Sequence, residues 1–167
     1  MQMQISSAPL LTAAKLSELV ALGHNRISQI YLHWTAGRYG QLYDDYHFNI
    51  DADGSIYQTC TQLTELKSHT WQRNTVAIGI ALCCACGALP HNGRDTDFGK
   101  FPPTPRQIDA AGKLVAKLRR GSISLSTAGT SLLTAKPRLS TATDRTAATP
   151  KPAGIYGICA IHPATEQ

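Results

Sequence analysis

The chain has 167 residues, of which 43% are hydrophobic and 16% charged, and this composition excludes wholesale disorder. It contains no run of 18 apolar residues, which excludes a transmembrane helix. The net charge of +5 lies entirely in the last third. Residues 1–111 carry 8 basic and 9 acidic side chains, whereas residues 112–167 carry 8 basic and 2 acidic ones. This asymmetry is typical of a basic tail, and it is also compatible with an error in the sequence of the last third.

The N-terminal stretch has no basic segment before an apolar one, so we expect no secretory signal peptide and synthesis in the cytoplasm. The five cysteines are an odd number, and three of them crowd into residues 83–86. Near neighbours pair poorly with one another, which favours a reducing compartment over a disulfide framework.

Hydrophobic periodicity predicts a helix followed by a series of short strands. The helix covers residues 9–23 and ends at Gly23. Strands are predicted at residues 27–35, 46–50, 55–60 and 75–83, and a turn at residues 51–54 joins the second strand to the third. The last of these strands is almost continuously apolar, as expected of a strand that is buried on both faces.

A loop at residues 87–103 precedes a second predicted helix. Thr104 is placed at the N-cap, Pro105 at the first helical position, and Gln107 completes a capping box. The residues expected on the buried face are Ile108, Ala111, Leu114, Val115 and Leu118.

After about residue 121 the sequence becomes rich in Ser, Thr, Ala, Pro and basic residues, and no period survives. We therefore predict one folded domain over residues 1–125 and an irregular low-complexity tail over residues 126–167.

Three side chains are candidates for chemistry. His33 ends a predicted strand, where a neutral imidazole is a good zinc ligand, although a lone histidine is more often structural. Tyr46 can donate a hydrogen bond to an oxyanion, or simply pack its ring on a helix. His69 can contact a ligand, or simply be solvated in its loop.

The cysteine cluster at positions 83, 84 and 86 has a metal-binding and a structural interpretation. Successive residues of a strand point to opposite faces, so only Cys84 and Cys86 share a face. No matching second pair exists, and the pattern favours small buried side chains.

Four ordered segments together carry a resemblance: LHWTAG, YHFNIDADGSIYQ, SHTWQRNTVAIGIAL and PPTPRQIDAAGKLVAKL. In order and spacing they resemble the zinc-dependent N-acetylmuramoyl-L-alanine amidases of type 2. This family includes phage endolysins and peptidoglycan recognition proteins. The resemblance covers roughly residues 27–120.

The resemblance implies an α/β fold, with a mixed central β-sheet flanked by helices and a substrate groove over one Zn²⁺. It implies that His33 is the first metal ligand and that Tyr46 is catalytic beside the zinc-bound water. It places His69, Trp34 and Asn74 in contact with the substrate. The implied reaction is hydrolysis of the amide between N-acetylmuramic acid and the L-alanine of the stem peptide.

The sequence departs from the family pattern at two places. Some members carry a catalytic Glu at the position of Ala81, so we expect Tyr46 and groups elsewhere, rather than a Glu, to take the catalytic role. The family also takes its second and third zinc ligands from the part after the long helix, and that part has no histidine before His162. We therefore expect weak or absent zinc binding and impaired activity in this chain.

We hypothesise that the C-terminal third is translated in a shifted reading frame, which would explain the missing ligands. Read one base out of phase within codon degeneracy, residues 130–158 can spell a string that contains VLTH and GDPETRWD. These supply a histidine and an acidic ligand of the expected kinds. The hypothesis places the shift near residues 119–130, and the alternative is a genuine disordered tail.

Three functions follow as expectations. The first is a monomeric, phage- or prophage-encoded bacterial endolysin that hydrolyses peptidoglycan after release to the cell wall. The second is a non-catalytic peptidoglycan-binding module. The third, nucleic-acid binding through the basic tail, is disfavoured because the tail's basic residues are scattered without aromatic neighbours. Neither nucleic acid nor a membrane is therefore an expected partner.

Overall fold

The structure is a computed structural model that describes residues 2–91, 95–121 and 159–161. The domain boundary predicted at residue 125, the segment at 130–158 assigned to a shifted frame, and most of the predicted tail lie outside these residues. Predictions about the order of the tail and its reading frame therefore stay predictions.

The described chain forms two helices and nine strands. In chain order these elements are β1 (Gln4–Ile5), α1 (Ala13–Leu22), β2 (Gln29–Trp34), β3 (Leu42–Tyr43), β4 (Phe48–Ile50), β5 (Ile56–Gln58), β6 (Ala77–Leu82), β7 (Leu89–His91), β8 (Asp95–Asp97), α2 (Pro105–Gly121) and β9 (Cys159–Ile161). None of the helices in the described part of the chain has the length and apolar character that a bilayer crossing requires.

Five strands form the central sheet in the order β5-β4-β6-β2-β9. Strand β6 runs parallel to β2 and to β4, whereas β5 and β9 join the two edges antiparallel. The sheet is therefore mixed, and the predicted fold class is confirmed. All six residues of β6 are buried, as its apolar run predicts.

The hydrophobic core lies between one face of the sheet and the two helices. Alternate residues of the central strands point into it, because side chains alternate between the faces of a strand. The core cluster contains Ile30, Phe48, Ile50, Ile78, Ile80 and Leu82 from the strands, and Leu16, Leu19, Ala111, Leu114 and Leu118 from the helices.

The start of α2 has the predicted capping box. The backbone N–H of Gln107 donates to Thr104 Oγ1 at 3.1 Å, and the Gln107 side-chain oxygen accepts from the backbone N–H of Thr104 at 2.9 Å. The predicted buried face was wrong at one position, since Ile108 is 57% exposed and Gln107 is fully buried. The Gln107 side-chain NH₂ donates to the carbonyls of Ile50 and Cys83 and so joins α2 to the sheet.

The loop predicted at residues 87–103 contains a short hairpin of β7 and β8. Its strands have three residues each and include proline and aspartates, which have low strand propensity. Neither the hydrophobic periodicity nor the strand propensity of the sequence therefore indicates a hairpin at these residues.

Candidate functional site

The face of the sheet opposite the core carries the candidate site, and we call it the site face. It consists of residues that alternate with the core residues: Tyr31, His33, Asn49, Gly79 and Ala81. The register places His33 and Asn49 on either side of Ala81, and Tyr31 beside Gly79. Small residues on the central strand therefore leave space between larger side chains of its neighbours.

Three buried histidines, His33, His47 and His69, meet on the site face, and we call them the histidine cluster. The ring centroids of His33 and His69 lie 5.3 Å apart, and those of His47 and His69 lie 5.8 Å apart. His33 Nε2 lies 3.3 Å from His69 Nδ1. One of these two nitrogens must donate and the other accept. The structure therefore brings together two of the predicted site residues, His33 and His69.

Gly79 explains how His69 reaches the sheet from its loop. A Cβ atom added at Gly79 would lie 2.6 Å from both Cγ and Cδ2 of His69. The imidazole ring therefore packs directly on the glycine backbone. A glycine inside a strand often marks such a close approach, and any side chain at this position would displace the ring.

His47 supports the arrangement from the side of β4. Its Nε2 donates to the carbonyl of Glu65 at 2.9 Å, and its Nδ1 accepts from the backbone N–H of Gly79 at 3.1 Å. These two bonds fix one neutral tautomer. They also tie the loop that bears His69 to the central strand.

Burial keeps the histidine cluster neutral. It lowers the pKa of His33, His47 and His69 from 6.5 to about 4 in each case. The neighbouring His69 lowers the pKa of His33 and of His47 further, whereas the backbone of Ala77 partly offsets the shift of His69. His69 Nε2 is buried and makes no hydrogen bond to any described residue.

Tyr46 lies beside His33, with ring centroids 5.3 Å apart. It is 4% exposed and packs with Tyr43 and Ala81. Its hydroxyl oxygen accepts a hydrogen bond from Gln2 Nε2 at 2.7 Å. Burial raises the pKa of Tyr46 to about 12, with a further contribution from the Asp45 carboxylate. The phenol is therefore protonated at neutral pH and able to donate a hydrogen bond.

A buried lysine fixes the loop that carries His69. Lys67 Nζ lies 2.8 Å from carboxylate oxygens of both Asp44 and Glu65, and it donates to the carbonyl of Thr59 at 3.0 Å. Burial opposes its charge, but the hydrogen bonds to the two carboxylates raise the pKa of Lys67. The ammonium therefore links this loop to the segment just before Tyr46.

The other two predicted substrate contacts lie elsewhere. Trp34 follows His33 on β2 and packs edge-on against Phe98, at a centroid distance of 5.4 Å. It belongs with the core rather than the site face. Asn74 Oδ1 accepts from the backbone N–H of Thr70 at 2.7 Å and lines a depression of about 420 Å³ that also includes Trp71. Their contact with a substrate stays a prediction.

The described residues do not by themselves fit a catalytic zinc ion. Such a site needs about three protein ligands and an open position. Residues 2–91, 95–121 and 159–161 contain no group of three His, Cys, Asp or Glu side chains that could hold a metal. The part of the chain from which the family takes its second and third ligands lies outside the described residues, and its sequence has no histidine before His162.

The cysteines within the described residues are consistent with the structural interpretation. Cys60, Cys83 and Cys84 are buried, and all four cysteines of this part with described side chains are free. Burial raises the pKa of the thiols of Cys60, Cys83 and Cys84 to about 12, which makes them inert at neutral pH.

Sequence reasoning assigned no role to four residues that shape this site: Gln2, His47, Lys67 and Gly79. Only Gly79 left a signal, as a glycine inside an apolar strand. The contacts of Gln2, His47 and Lys67 join positions that are 44, 32 and 23 residues apart, and no local pattern indicates them.

A model of the N-acetylmuramoyl-L-alanine amidase family matches residues 23–147, which is 125 of the 167 residues. No curated protein sequence matches the chain.

Solved structures with some likeness include peptidoglycan recognition proteins. One is protein Hd from Alvinella pompejana, with 19% identity, 75% of this chain and 74% of that chain covered, and a TM-score of 0.42. Another is the human protein PGRP-IBETAC in complex with glycosamyl muramyl pentapeptide, with 17% identity, coverage of 72% and 73%, and a TM-score of 0.42.

A third is peptidoglycan recognition protein LE in complex with tracheal cytotoxin, with 17% identity, coverage of 74% and 72%, and a TM-score of 0.41. TM-scores below 0.5 add nothing to the family match. The family match alone spans well over half of the chain, and the chain belongs to the N-acetylmuramoyl-L-alanine amidase family.

Proposed function

We propose that the protein is a peptidoglycan amidase that hydrolyses the amide between N-acetylmuramic acid and the L-alanine of the stem peptide. One observation carries the proposal: in a chain of this family, His33, Tyr46 and His69 converge on the site face, with both neighbouring rings centred 5.3 Å from that of His33. These are three of the five residues to which the family resemblance assigned the site.

The chemistry of the cluster supports this reaction. Amide hydrolysis passes through a tetrahedral oxyanion, which a buried hydrogen-bond donor stabilises. Tyr46 is such a donor, because burial keeps its phenol protonated. His33 and His69 are neutral imidazoles, which can accept a proton or hold an ordered water.

Among the described residues, His33 is the one that we propose as a zinc ligand. A bound zinc ion polarises a carbonyl and lowers the pKa of its water towards about 7. Since the described residues supply no three-ligand group, we propose that zinc binds this chain weakly. Stoichiometric, chelator-resistant zinc in the purified protein would contradict that proposal.

Digestion of purified peptidoglycan tests the function. The parent chain, supplemented with zinc, is expected to release soluble stem peptide, and His33→Ala is expected to abolish the release. His91→Ala is the matched control, because His91 is exposed on the β7–β8 hairpin. Absence of release from the parent chain, or equal release from both variants, would contradict the proposal.

A non-catalytic peptidoglycan-binding module is the second candidate. Ala81 is fully buried against Tyr46, at the position where some members carry a catalytic Glu. Together with the lack of a three-ligand group among the described residues, this favours recognition without turnover. Cosedimentation with insoluble peptidoglycan, with no peptide released, would support the second candidate over the first.

We further propose that the protein is a monomer that is made in the cytoplasm of a bacterium carrying a phage or prophage. It would reach the wall after release from the cell. Sedimentation equilibrium tests the monomer, and fractionation of producing cells before and after lysis tests the location.

A further inference from the structure

The segment of residues 2–5, which we call the N-terminal segment, lies against the residues that precede β4. Its strand β1 pairs antiparallel with β3, with Gln4 opposite Tyr43 and Ile5 opposite Leu42. Next to this pairing, the backbone N–H of Met3 donates to the Asp45 carboxylate at 2.7 Å, and its carbonyl accepts from the Asp44 N–H at 2.9 Å. The N-terminal segment is therefore fastened at several points to the stretch that leads into Tyr46.

Gln2 extends this contact to the phenol itself. Its side-chain NH₂ donates to the Tyr46 hydroxyl oxygen at 2.7 Å. A phenol can accept hydrogen bonds and donate one. Because an amide NH₂ can only donate, Gln2 occupies the acceptor side of the hydroxyl. The hydroxyl proton stays available, and it makes no hydrogen bond to a described residue.

We propose that Gln2 is a positioning residue that aims the Tyr46 O–H at the substrate carbonyl. The inference rests on the proposed function, because it gives Tyr46 a substrate to contact. A Gln2 amide that donates to the oxygen leaves the proton to point towards the site face, where His33 lies beside the ring. The N-terminal segment then orients the Tyr46 hydroxyl within the site.

A reversal of the hydrogen bond separates orientation from simple packing. In Gln2→Glu, the introduced carboxylate can only accept, so it captures the Tyr46 proton and turns the hydroxyl away from the substrate. The contact itself survives. In Gln2→Met the side chain keeps its length but makes no hydrogen bond, which leaves the hydroxyl free to rotate. Gln4→Glu adds the same charge to the same segment at an exposed position.

The readout is the affinity for a soluble muropeptide, measured by calorimetry at pH 7. Loss of one hydrogen bond corresponds to about a tenfold loss of affinity. We expect about that loss for Gln2→Glu, a loss of about two- to threefold for Gln2→Met, and no change for Gln4→Glu. Equal affinities for Gln2→Glu and Gln4→Glu would overturn the inference.

A double-mutant cycle in urea unfolding tests the contact without any ligand. Gln2→Met and Tyr46→Phe are expected to couple, with about a fivefold effect on the unfolding equilibrium constant. Gln4→Met and Tyr46→Phe are expected not to couple. Absence of coupling at Gln2 overturns the inference. Coupling in a parent chain that binds no muropeptide supports the contact and overturns the proposed function instead.

Discussion

The substitution Gly79→Ala tests how the histidine cluster is built. The added Cβ would lie 2.6 Å from two ring carbons of His69. Ordinary contact begins near 3.4 Å, so the ring must retreat by about 0.8 Å. Strand β6 cannot yield instead, because it is paired on both sides and Gly79 exchanges hydrogen bonds with His47. The 3.3 Å approach of His69 to His33 is therefore lost.

The expected cost follows from this overlap. Overpacking of a buried site costs about 1–3 kcal/mol, and the lower backbone entropy of alanine offsets about 0.5–1 kcal/mol. We therefore expect the free energy of unfolding to fall by up to about 2.5 kcal/mol. We also expect muropeptide affinity to fall at least tenfold, since His69 is displaced from His33.

Urea unfolding followed by tryptophan fluorescence measures the stability, and calorimetry measures the affinity. Gly112→Ala is the matched control, because a Cβ at this exposed helical position meets nothing within 4 Å. It should stabilise the protein by up to about 1 kcal/mol. A Gly79→Ala protein as stable as Gly112→Ala, with unchanged affinity, would refute the packing of His69 on Gly79.

Three other outcomes are expected. Burial lowers the pKa of each residue of the histidine cluster from 6.5 to about 4. Between these two pH values the unfolded state therefore binds more protons than the folded state. The stability that the protein has above pH 6.5 is expected to be lost as the pH falls towards 4. Urea midpoints that stay constant across that window would contradict this. Gln107→Ala should lower the free energy of unfolding by about 2–4 kcal/mol, since it removes half of the capping box and leaves the Cys83 carbonyl without its hydrogen bond, whereas the Ile50 carbonyl keeps the one from the Cys83 N–H. An equal loss in the exposed control Ile108→Ala would contradict the role of the buried amide. Lys67→Met should lower the free energy of unfolding by about 1–3 kcal/mol, because it leaves the partly exposed carboxylates of Asp44 and Glu65 without their cation. Lys15→Met removes only an exposed ion pair and should lower it by less than about 0.5 kcal/mol. Similar losses in both variants would contradict the stabilising role of Lys67.

The elements with strong local signals could be predicted from the sequence. The capping box at Thr104 and Gln107 is a local pattern with a local cause, and it begins α2 as predicted. The apolar run that ends near Cys83 predicted a strand buried on both faces, and β6 is that strand. The β7–β8 hairpin was missed, because its short strands hold Pro90 and two aspartates and so lack strand propensity.

The site could be predicted in part. The family resemblance selected five residues, and the structure brings three of their side chains together, those of His33, Tyr46 and His69, whereas Trp34 packs with the core. The supporting contacts of His47 and Gln2 could not be predicted, because each joins residues more than 30 positions apart. Such contacts depend on the register of the sheet rather than on any local period.

The most direct test of the proposed function is mass spectrometry of muropeptide digested by the parent chain with zinc. An amidase of this family must yield the intact disaccharide and a stem peptide with a free N-terminal L-alanine. We predict these two products, and their loss in Tyr46→Phe but not in Tyr57→Phe, whose ring lies on edge strand β5. Cleavage at any other bond, or an intact muropeptide, would contradict the assignment of hydrolysis to this site.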